Sequence, residues 1–206
     1  MINYKYIAIE GNIGVGKTSL AKLFSKDLPH NLILEEFKKN PFLPKFYKTP
    51  GKLLLPLEMT FLFERYHQLT NLPKKGKIIG DYIFQKSKIF AKNNLSITEF
   101  DVFSKVFHVL NKNIIQPDLL ILLENTIPNL QKNIARRGRK FENSISEKYL
   151  FEIEMRYHNF LKQNKFFRII RVNVENIDFV HHSSDFKKMF NLLEEKYPKG
   201  NTIIKL

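Results

Sequence analysis

The stretch Tyr4-Lys-Tyr-Ile-Ala-Ile-Glu10 runs directly into Gly11-Asn-Ile-Gly-Val-Gly-Lys-Thr18, and this junction decides the fold. It has the pattern of an apolar strand, a glycine-rich turn and the first residues of a helix, and it matches G-x-x-x-x-G-K-[ST] at every fixed position. Glycines let backbone N–H groups turn towards an anion, and the helix N-terminus adds partial positive charge. A simple tight turn is the alternative, but the Lys-Thr pair argues against it. The stretch therefore predicts a binding site for a nucleoside triphosphate.

Two side chains of this loop have predicted tasks. Lys17 can reach the outer phosphates, and the hydroxyl of Thr18 can bind Mg²⁺. ATP and Mg²⁺ are therefore the expected cofactors. The predicted nucleotide-binding residues are Gly11, Asn12, Ile13, Gly14, Val15, Gly16, Lys17, Thr18 and Ser19.

Strand and helix patterns alternate along the rest of the chain. After the first strand, strand-like runs occur at residues 31–36, 77–81, 118–123 and 167–172, with helical patterns between them. Such alternation predicts an α/β fold with a doubly wound parallel sheet, here of five strands, flanked by helices in three layers. We expect a single domain over residues 1–206, because this length is sufficient for one sizeable core.

Composition narrows the classes of function. The chain has 206 residues, no cysteine and a net charge of +14. The absence of cysteine excludes disulfides and fits a cytoplasmic location, and no apolar run reaches the roughly 18 residues of a membrane span. Because the lysines are dispersed along the chain, we interpret the positive charge as a solvated surface and expect no nucleic-acid partner.

Carboxylates follow the second and third predicted strands, at the edge of the sheet where ligands bind in such folds. Glu36 and Asp81 are expected beside the phosphate loop, whereas side-chain alternation along a strand directs Glu35 towards solvent. A carboxylate in this position can hold Mg²⁺ or accept the proton of an attacking hydroxyl. We assign Thr18 and Asp81 to the metal, and Glu36 and Asp81 to catalysis.

The helical pattern that begins near Lys52 is apolar almost all round, yet it carries Glu58 and Arg65 on one stripe. Charged groups in an apolar stripe are costly unless they are paired. The two residues could form a buried structural ion pair, or they could line a pocket for a polar organic substrate. The residues alone leave both readings open.

A basic cluster, Arg136-Arg-Gly-Arg-Lys140, lies between two predicted helices. Arginines on a connection above a triphosphate can close over the transferring phosphoryl group and exclude water. The cluster is also what a helix C-terminus ending at Gly138 favours, and both readings can hold together. We expect a lid at about residues 136–142, with Arg137 and Arg139 as its catalytic cations.

The combination of motifs resembles the deoxynucleoside kinases, particularly the bacterial branch that acts on deoxyguanosine and deoxyadenosine. The matching segments are residues 11–18, 35–37, 40–47, 58–65, 80–82, 89–91 and 137–142. The resemblance implies a P-loop kinase fold, a role in nucleotide salvage and a homodimer. It implies that Glu36 takes the proton from the substrate 5′-hydroxyl and that Asp81 lies near Mg²⁺. It further implies that Tyr47 and Glu142 hold the sugar 3′-hydroxyl, and that Glu58 and Arg65 border the base.

Three departures from the family pattern matter. Phe37 replaces a frequent proline, and Tyr82 stands where an arginine is usual, so a phosphate-stabilising cation is missing or comes from another residue. Glu58 occupies a position that commonly holds glutamine. Since an ionised glutamate only accepts hydrogen bonds, it suits the donors of guanine, N1–H and the 2-amino group, better than the N1 acceptor of adenine.

The sequence therefore predicts transfer of the ATP γ-phosphate to the 5′-hydroxyl of a deoxynucleoside, with deoxyguanosine slightly preferred over deoxyadenosine. A nucleoside-monophosphate kinase similar to thymidylate kinase shares the loop and the lid but needs cations for an acceptor phosphate. A P-loop ATPase that depends on nucleic acid is the other alternative, and stimulation by DNA or RNA would reveal it.

Overall fold

A computed structural model of the chain describes residue 2 and residues 4–48, 51–72 and 76–206. Its centre is a six-stranded, fully parallel sheet with the strand order β2-β3-β1-β4-β5-β6. The strands are β1 (Tyr6–Gly11), β2 (His30–Ile33), β3 (Lys77–Gly80), β4 (Leu119–Glu124), β5 (Arg168–Asn173) and β6 (Gly200–Ile204). The predicted α/β fold with a doubly wound parallel sheet is confirmed, but the predicted number of five strands was one too few.

Eight α-helices connect and cover the strands within the described ranges. They are α1 (Lys17–Asp27), α2 (Leu43–Lys48), α3 (Leu54–Thr70), α4 (Lys86–Asn94), α5 (Ile97–Asn111), α6 (Ile127–Arg137), α7 (Glu147–Gln163) and α8 (Ser183–Asn191). Two short 3₁₀ helices, Phe37–Lys39 and Lys140–Glu142, lie in the connections that border the cleft described below. Helix α4 and strand β6 were not predicted, and residues 40–51, which contain α2, were expected to form a loop with one helical turn at most.

The central strands are apolar throughout because helices cover both faces of the sheet. All five residues from Leu119 to Leu123 in β4 are buried. One core cluster lies on the face of α1, α6 and α8, and a second lies on the face of α4, α5 and α7. Strand β6 differs, since its residues alternate between half-buried and exposed as expected at the edge of a sheet.

A third apolar cluster lies beyond the carboxyl ends of the strands and joins α2 to α3 through Leu43, Phe46 and Leu57. The buried Asn40 ties this cluster to the connection after β2, because its amide donates to the carbonyl of Leu57 at 3.0 Å. The arrangement places α2 and α3 as a wall opposite the phosphate loop. Among the described helices, none combines the length and the apolar character that a membrane span requires.

Candidate active site

One large cleft, of about 1050 Å³, opens beyond the carboxyl ends of the strands. This is where ligands bind in a doubly wound sheet, because the connections on its two sides diverge there. The cleft contains most of the residues that the sequence analysis selected. These are Ile13, Gly14, Val15, Gly16, Lys17, Thr18, Ser19, Tyr47, Glu58, Arg65, Asp81, Arg137, Arg139 and Glu142.

The phosphate loop joins β1 to α1 at one end of the cleft. Gly16 adopts a left-handed φ of 105°, and a Cβ built there would approach the ring of Phe179 to 2.8 Å, so only glycine fits. Gly16 is also the N-cap of α1 and no side chain caps the helix. The first backbone N–H groups of α1 are therefore available to an anion, as a phosphate site requires.

Lys17 lies folded against the loop, with its ammonium donating to the carbonyls of Gly11 at 2.8 Å and Asn12 at 2.9 Å. Burial and the neighbouring Lys86 lower the pKa of Lys17 to about 8, although Glu10, Glu35 and Asp81 oppose that shift. A bound triphosphate would place negative charge beside this half-buried ammonium and would favour its protonated form. Gly11 and Asn12, by contrast, are not among the described residues that line the cleft.

Asp81 follows β3 and is buried beside the start of α1. Its Oδ2 accepts from the hydroxyl of Thr18 at 2.5 Å, and its Oδ1 accepts from the backbone N–H of Glu35 at 2.8 Å. A hydroxyl and a carboxylate are the hard oxygen ligands that Mg²⁺ prefers, usually together with waters and substrate phosphates. The predicted pair therefore fits a magnesium ion bound jointly with a nucleotide.

The two glutamates after β2 are arranged in the opposite way from the prediction. Glu35 lines the cleft, whereas Glu36 is not one of the described residues that line it, has a side chain 40% exposed, and pairs with Lys39. The alternation argument was wrong because β2 ends at Ile33, so neither glutamate has the regular side-chain alternation of a strand. Of the two glutamates, Glu35 is thus the one that lies in the cleft with the phosphate loop.

Two buried cations hold Glu35. Arg65 donates to its Oε1 through Nε at 3.0 Å and Nη2 at 2.5 Å, and Lys86 donates to its Oε2 at 2.7 Å. Burial alone would raise the pKa of Glu35, but Lys86 and Arg65 outweigh it and hold the pKa far below the usual range. Glu35 is therefore an ionised hydrogen-bond acceptor at any physiological pH.

Arg65 and Glu58 lie on one stripe of α3 as expected, but the structure gives Arg65 other partners. The Arg65 guanidinium contacts Glu35 and the hydroxyl of Ser87 at 2.8 Å, and it lies over the ring of Phe61. Glu58 is 2% exposed, and its Oε1 accepts from the amide of Asn94 at 2.6 Å. The buried ion pair between Glu58 and Arg65, one of the two readings of the stripe, is therefore not formed.

Glu58 differs from Glu35 in its ionisation. Burial raises the pKa of Glu58 to about 7, with the Asn94 hydrogen bond and Arg65 acting against the increase. Its second oxygen, Oε2, is buried and has no hydrogen-bond partner among the described residues. A buried polar atom without a partner is costly, and a ligand in the cleft can satisfy it.

The predicted lid region connects α6 to α7. Glu142 is buried there and pairs with both lid arginines, with Arg137 through Oε2 and with Arg139 through Oε1 at 3.1 Å. Arg139 also lies 3.7 Å above the ring of Phe37, measured from its Cζ to the ring centroid. Tyr47 stacks on Phe141 across the same region. Both arginines and both predicted sugar-binding residues therefore meet at one wall of the cleft.

Sequence reasoning missed Lys86 and Asn94 on α4 and Tyr149 on α7, all of which line the cleft. Lys86 brings a buried cation into the cleft, where it pairs with Glu35. Tyr82 is fully buried and donates to Gln68 at 2.6 Å, outside the cleft. No local pattern in the sequence distinguishes Lys86 from the other dispersed lysines. The segment of residues 174–180 also lines the cleft beside the phosphate loop.

Comparison with known proteins identifies a matching family and several relatives. The family model for deoxynucleoside kinases matches residues 7–197. Deoxyguanosine kinase of Bacillus subtilis is 35% identical over 193 residues, which cover 89% of this chain and 93% of the relative. Deoxyadenosine/deoxycytidine kinase of the same organism is 29% identical over 192 residues, which cover 89% and 88%. A solved structure of deoxyadenosine kinase from M. mycoides with bound dATP superimposes with a TM-score of 0.82 at 27% identity, covering 92% of this chain and 100% of that one.

Proposed function

The chain belongs to the deoxynucleoside kinase family, whose members are ATP-dependent phosphotransferases, and on that premise we propose that it phosphorylates the 5′-hydroxyl of a purine deoxynucleoside in nucleotide salvage. The observation that carries the proposal is the cleft itself. It continues from the phosphate loop past Glu35 into a slot between aromatic side chains and Glu58. One cleft can thus hold, side by side, the triphosphate of ATP, the hydroxyl group that accepts the phosphoryl group, and the base of the substrate.

Glu35 is the proposed acceptor of the 5′-hydroxyl proton, in place of Glu36. Phosphoryl transfer through a loose transition state needs little covalent help, so catalysis consists mainly of positioning and charge stabilisation. A carboxylate held by Arg65 and Lys86 is a weak base but a permanently ionised acceptor. We infer that it orients the hydroxyl and receives the proton late, when bond formation to phosphorus has made the hydroxyl acidic.

Cations surround the site of transfer in this proposal. Lys17 and the first N–H groups of α1 bind the outer phosphates, and Lys86 takes the place of the arginine that is absent at Tyr82. Thr18 and Asp81 would hold Mg²⁺, which when bound neutralises charge on the phosphate oxygens. Arg137 and Arg139 would leave part of their pairing with Glu142 to contact the transferring group, while Glu142 and Tyr47 would bind the sugar 3′-hydroxyl.

Deoxyguanosine is the proposed preferred substrate near and above neutral pH, on the strength of the Glu58 carboxylate and in line with the name of the relative from Bacillus subtilis. An ATP-coupled assay with all four deoxynucleosides tests this, with the product identified as a 5′-monophosphate. Faster turnover of a pyrimidine would contradict the base assignment. Turnover of nucleoside monophosphates but of no deoxynucleoside would refute the proposed acceptor.

A pair of adjacent variants tests the catalytic carboxylate. Glu35→Gln should lower kcat by about 10²–10⁴-fold, the usual contribution of a positioned base, whereas Glu36→Gln should retain nearly full activity. Circular dichroism and thermal unfolding of both variants show whether Glu35→Gln still folds with its two cations unpaired. The reverse result, with Glu36→Gln inactive and Glu35→Gln active, would remove Glu35 from the role.

Assembly as a homodimer also belongs to this proposal. Helix α5 exposes Ile97, Val102 and Val109 while burying Phe103 and Phe107, which is consistent with an apolar face available to a second copy. Sedimentation equilibrium tests it, and a monomer at micromolar concentration would contradict it. A cytoplasmic location and the absence of a nucleic-acid partner remain predictions from composition.

A further inference from the structure

Glu58 is the most unusual titratable group in the cleft outside the phosphate region. It is 2% exposed on α3, it lines the slot beyond Glu35, and its Oε2 has no hydrogen-bond partner within the described part of the chain. Native structures rarely leave a buried polar atom unsatisfied, and such an atom in a cleft indicates a ligand contact. The slot around it is bordered by Leu57, Phe61 and Phe90, which suit the flat faces of a base.

A chain of hydrogen bonds fixes the orientation of the Glu58 carboxyl. The hydroxyl of Tyr149 donates to Oδ1 of Asn94 at 3.1 Å, so the amide nitrogen of Asn94 turns the other way and donates to Oε1 of Glu58. Oε1 is thereby held as an acceptor in both ionisation states. Oε2 is left as the atom that gains or loses the proton.

Charged and titratable groups reach Glu58 from every side of the slot. Burial and Glu35 favour the acid, whereas the Asn94 hydrogen bond, Arg65 and Lys86 favour the carboxylate. Both cations form ion pairs with Glu35, and this weakens their stabilisation of the Glu58 carboxylate. The neighbouring groups are Arg65 on α3, Glu35 after β2, Lys86 and Asn94 on α4, Tyr149 on α7 and Tyr47 on α2.

We propose that the protonation state of Glu58 selects between the two purines. As a carboxylic acid, Glu58 donates from Oε2 and accepts at Oε1, which matches the N1 acceptor and the 6-amino donor of adenine. As a carboxylate, it only accepts, which matches the N1–H and the 2-amino group of guanine. The cleft therefore favours deoxyadenosine at lower pH and deoxyguanosine at higher pH. This inference rests on the proposed function and extends its base assignment.

The pH at which the exchange occurs follows from the surroundings of Glu58. Because burial raises its pKa to about 7, both forms are populated near neutrality. If each form accepts only its own base, the ratio of kcat/KM for deoxyguanosine to that for deoxyadenosine changes tenfold per pH unit. It would rise by about 100-fold from pH 6 to pH 8.

The test measures this ratio from pH 6 to pH 8 at saturating ATP. Since both substrates use the same phosphate site, lid and Glu35, the pH dependence of those shared groups cancels in the ratio. Glu58→Gln carries a donor and an acceptor at every pH and should give a low ratio, favouring deoxyadenosine, that does not change with pH. Glu64→Gln is the matched control, because it removes a carboxylate from the same helix outside the cleft and should keep the wild-type rise.

Deoxyinosine provides a second measurement. It has the N1–H of guanine without the 2-amino group, so its kcat/KM should be lower than that of deoxyguanosine but should likewise rise with pH relative to that of deoxyadenosine. A ratio independent of pH in the wild-type protein, or an unchanged rise in Glu58→Gln, would overturn the inference. The same would follow if deoxyinosine behaved like deoxyadenosine. Absence of turnover with every deoxynucleoside would instead refute the proposed function.

Discussion

Replacement of Glu58 by glutamine should change how the stability of the protein depends on pH, even in the absence of any ligand. The folded-state pKa of Glu58, about 7, lies above the 4.5 of an ordinary glutamate. A carboxyl group whose pKa is raised on folding contributes stability that is fully present below pH 4.5 and is lost as pH rises through about 7. Glutamine has no ionised form, so Glu58→Gln lacks this loss.

The size of the effect follows from the same two values. Their difference corresponds to about 3 kcal/mol in total, since a tenfold change in proton affinity is worth about 1.4 kcal/mol. Between pH 5 and pH 8, the wild-type protein should lose about 2–3 kcal/mol of unfolding free energy relative to Glu58→Gln. Solvent screens this group very little, because Glu58 is 2% exposed.

Urea unfolding followed by circular dichroism at half-unit steps from pH 5 to pH 8 measures this difference directly. Other titrating groups affect both proteins equally, and Glu64→Gln should follow the wild-type curve. If the curves of the wild-type protein and Glu58→Gln stay parallel, then Glu58 is ionised throughout this range. The reasoning from burial would then be wrong, and the selection between purines would lose its titrating group.

Three further variants test other parts of the cleft. Gly16→Ala, whose added Cβ would meet Phe179 in a strained backbone conformation, should weaken ATP binding at least tenfold by calorimetry, while Gly51→Ala should not. Arg137→Gln should lower kcat by about 10²–10³-fold with a small change in KM for ATP, because the guanidinium acts on the transition state. Lys86→Met should lower kcat and move the acid limb of the pH profile upwards, since Lys86 depresses the pKa of Glu35.

The phosphate loop and the fold class could be predicted because their signals are contiguous. A strand, a loop and a helix start follow one another over residues 6–18, and each rests on local sequence. Strand β6 escaped prediction because an edge strand buries only part of its surface and needs no strong apolar pattern. Helix α4 was not predicted because its sequence is rich in lysine and shows no clear apolar pattern. Its buried residues nevertheless include a lysine, Lys86.

The detailed site could not be predicted because its contacts join distant parts of the chain. Arg65 and Lys86 bind Glu35 although they lie 30 and 51 residues from it in the sequence, and no local sequence pattern predicts either pair. The choice between Glu35 and Glu36 depended on whether β2 extends three residues further. Boundaries of secondary structure are where sequence reasoning is least secure, so a side-chain direction inferred near a boundary carries the same uncertainty.

The pairing of Arg65 links the two halves of the cleft. The sequence placed Arg65 seven residues after Glu58 on one helix face, and an ion pair between them would have kept Glu58 charged. Because Arg65 and Lys86 both bind Glu35 instead, Glu35 stays ionised beside the phosphate loop, and Glu58 has no direct ion pair to oppose the rise of its pKa. The pairing of both cations with Glu35 thus lowers the pKa of Glu35, while burial raises the pKa of Glu58. These opposite shifts suit the two proposed roles, Glu35 as the acceptor of the hydroxyl proton and Glu58 as the group that reads the base.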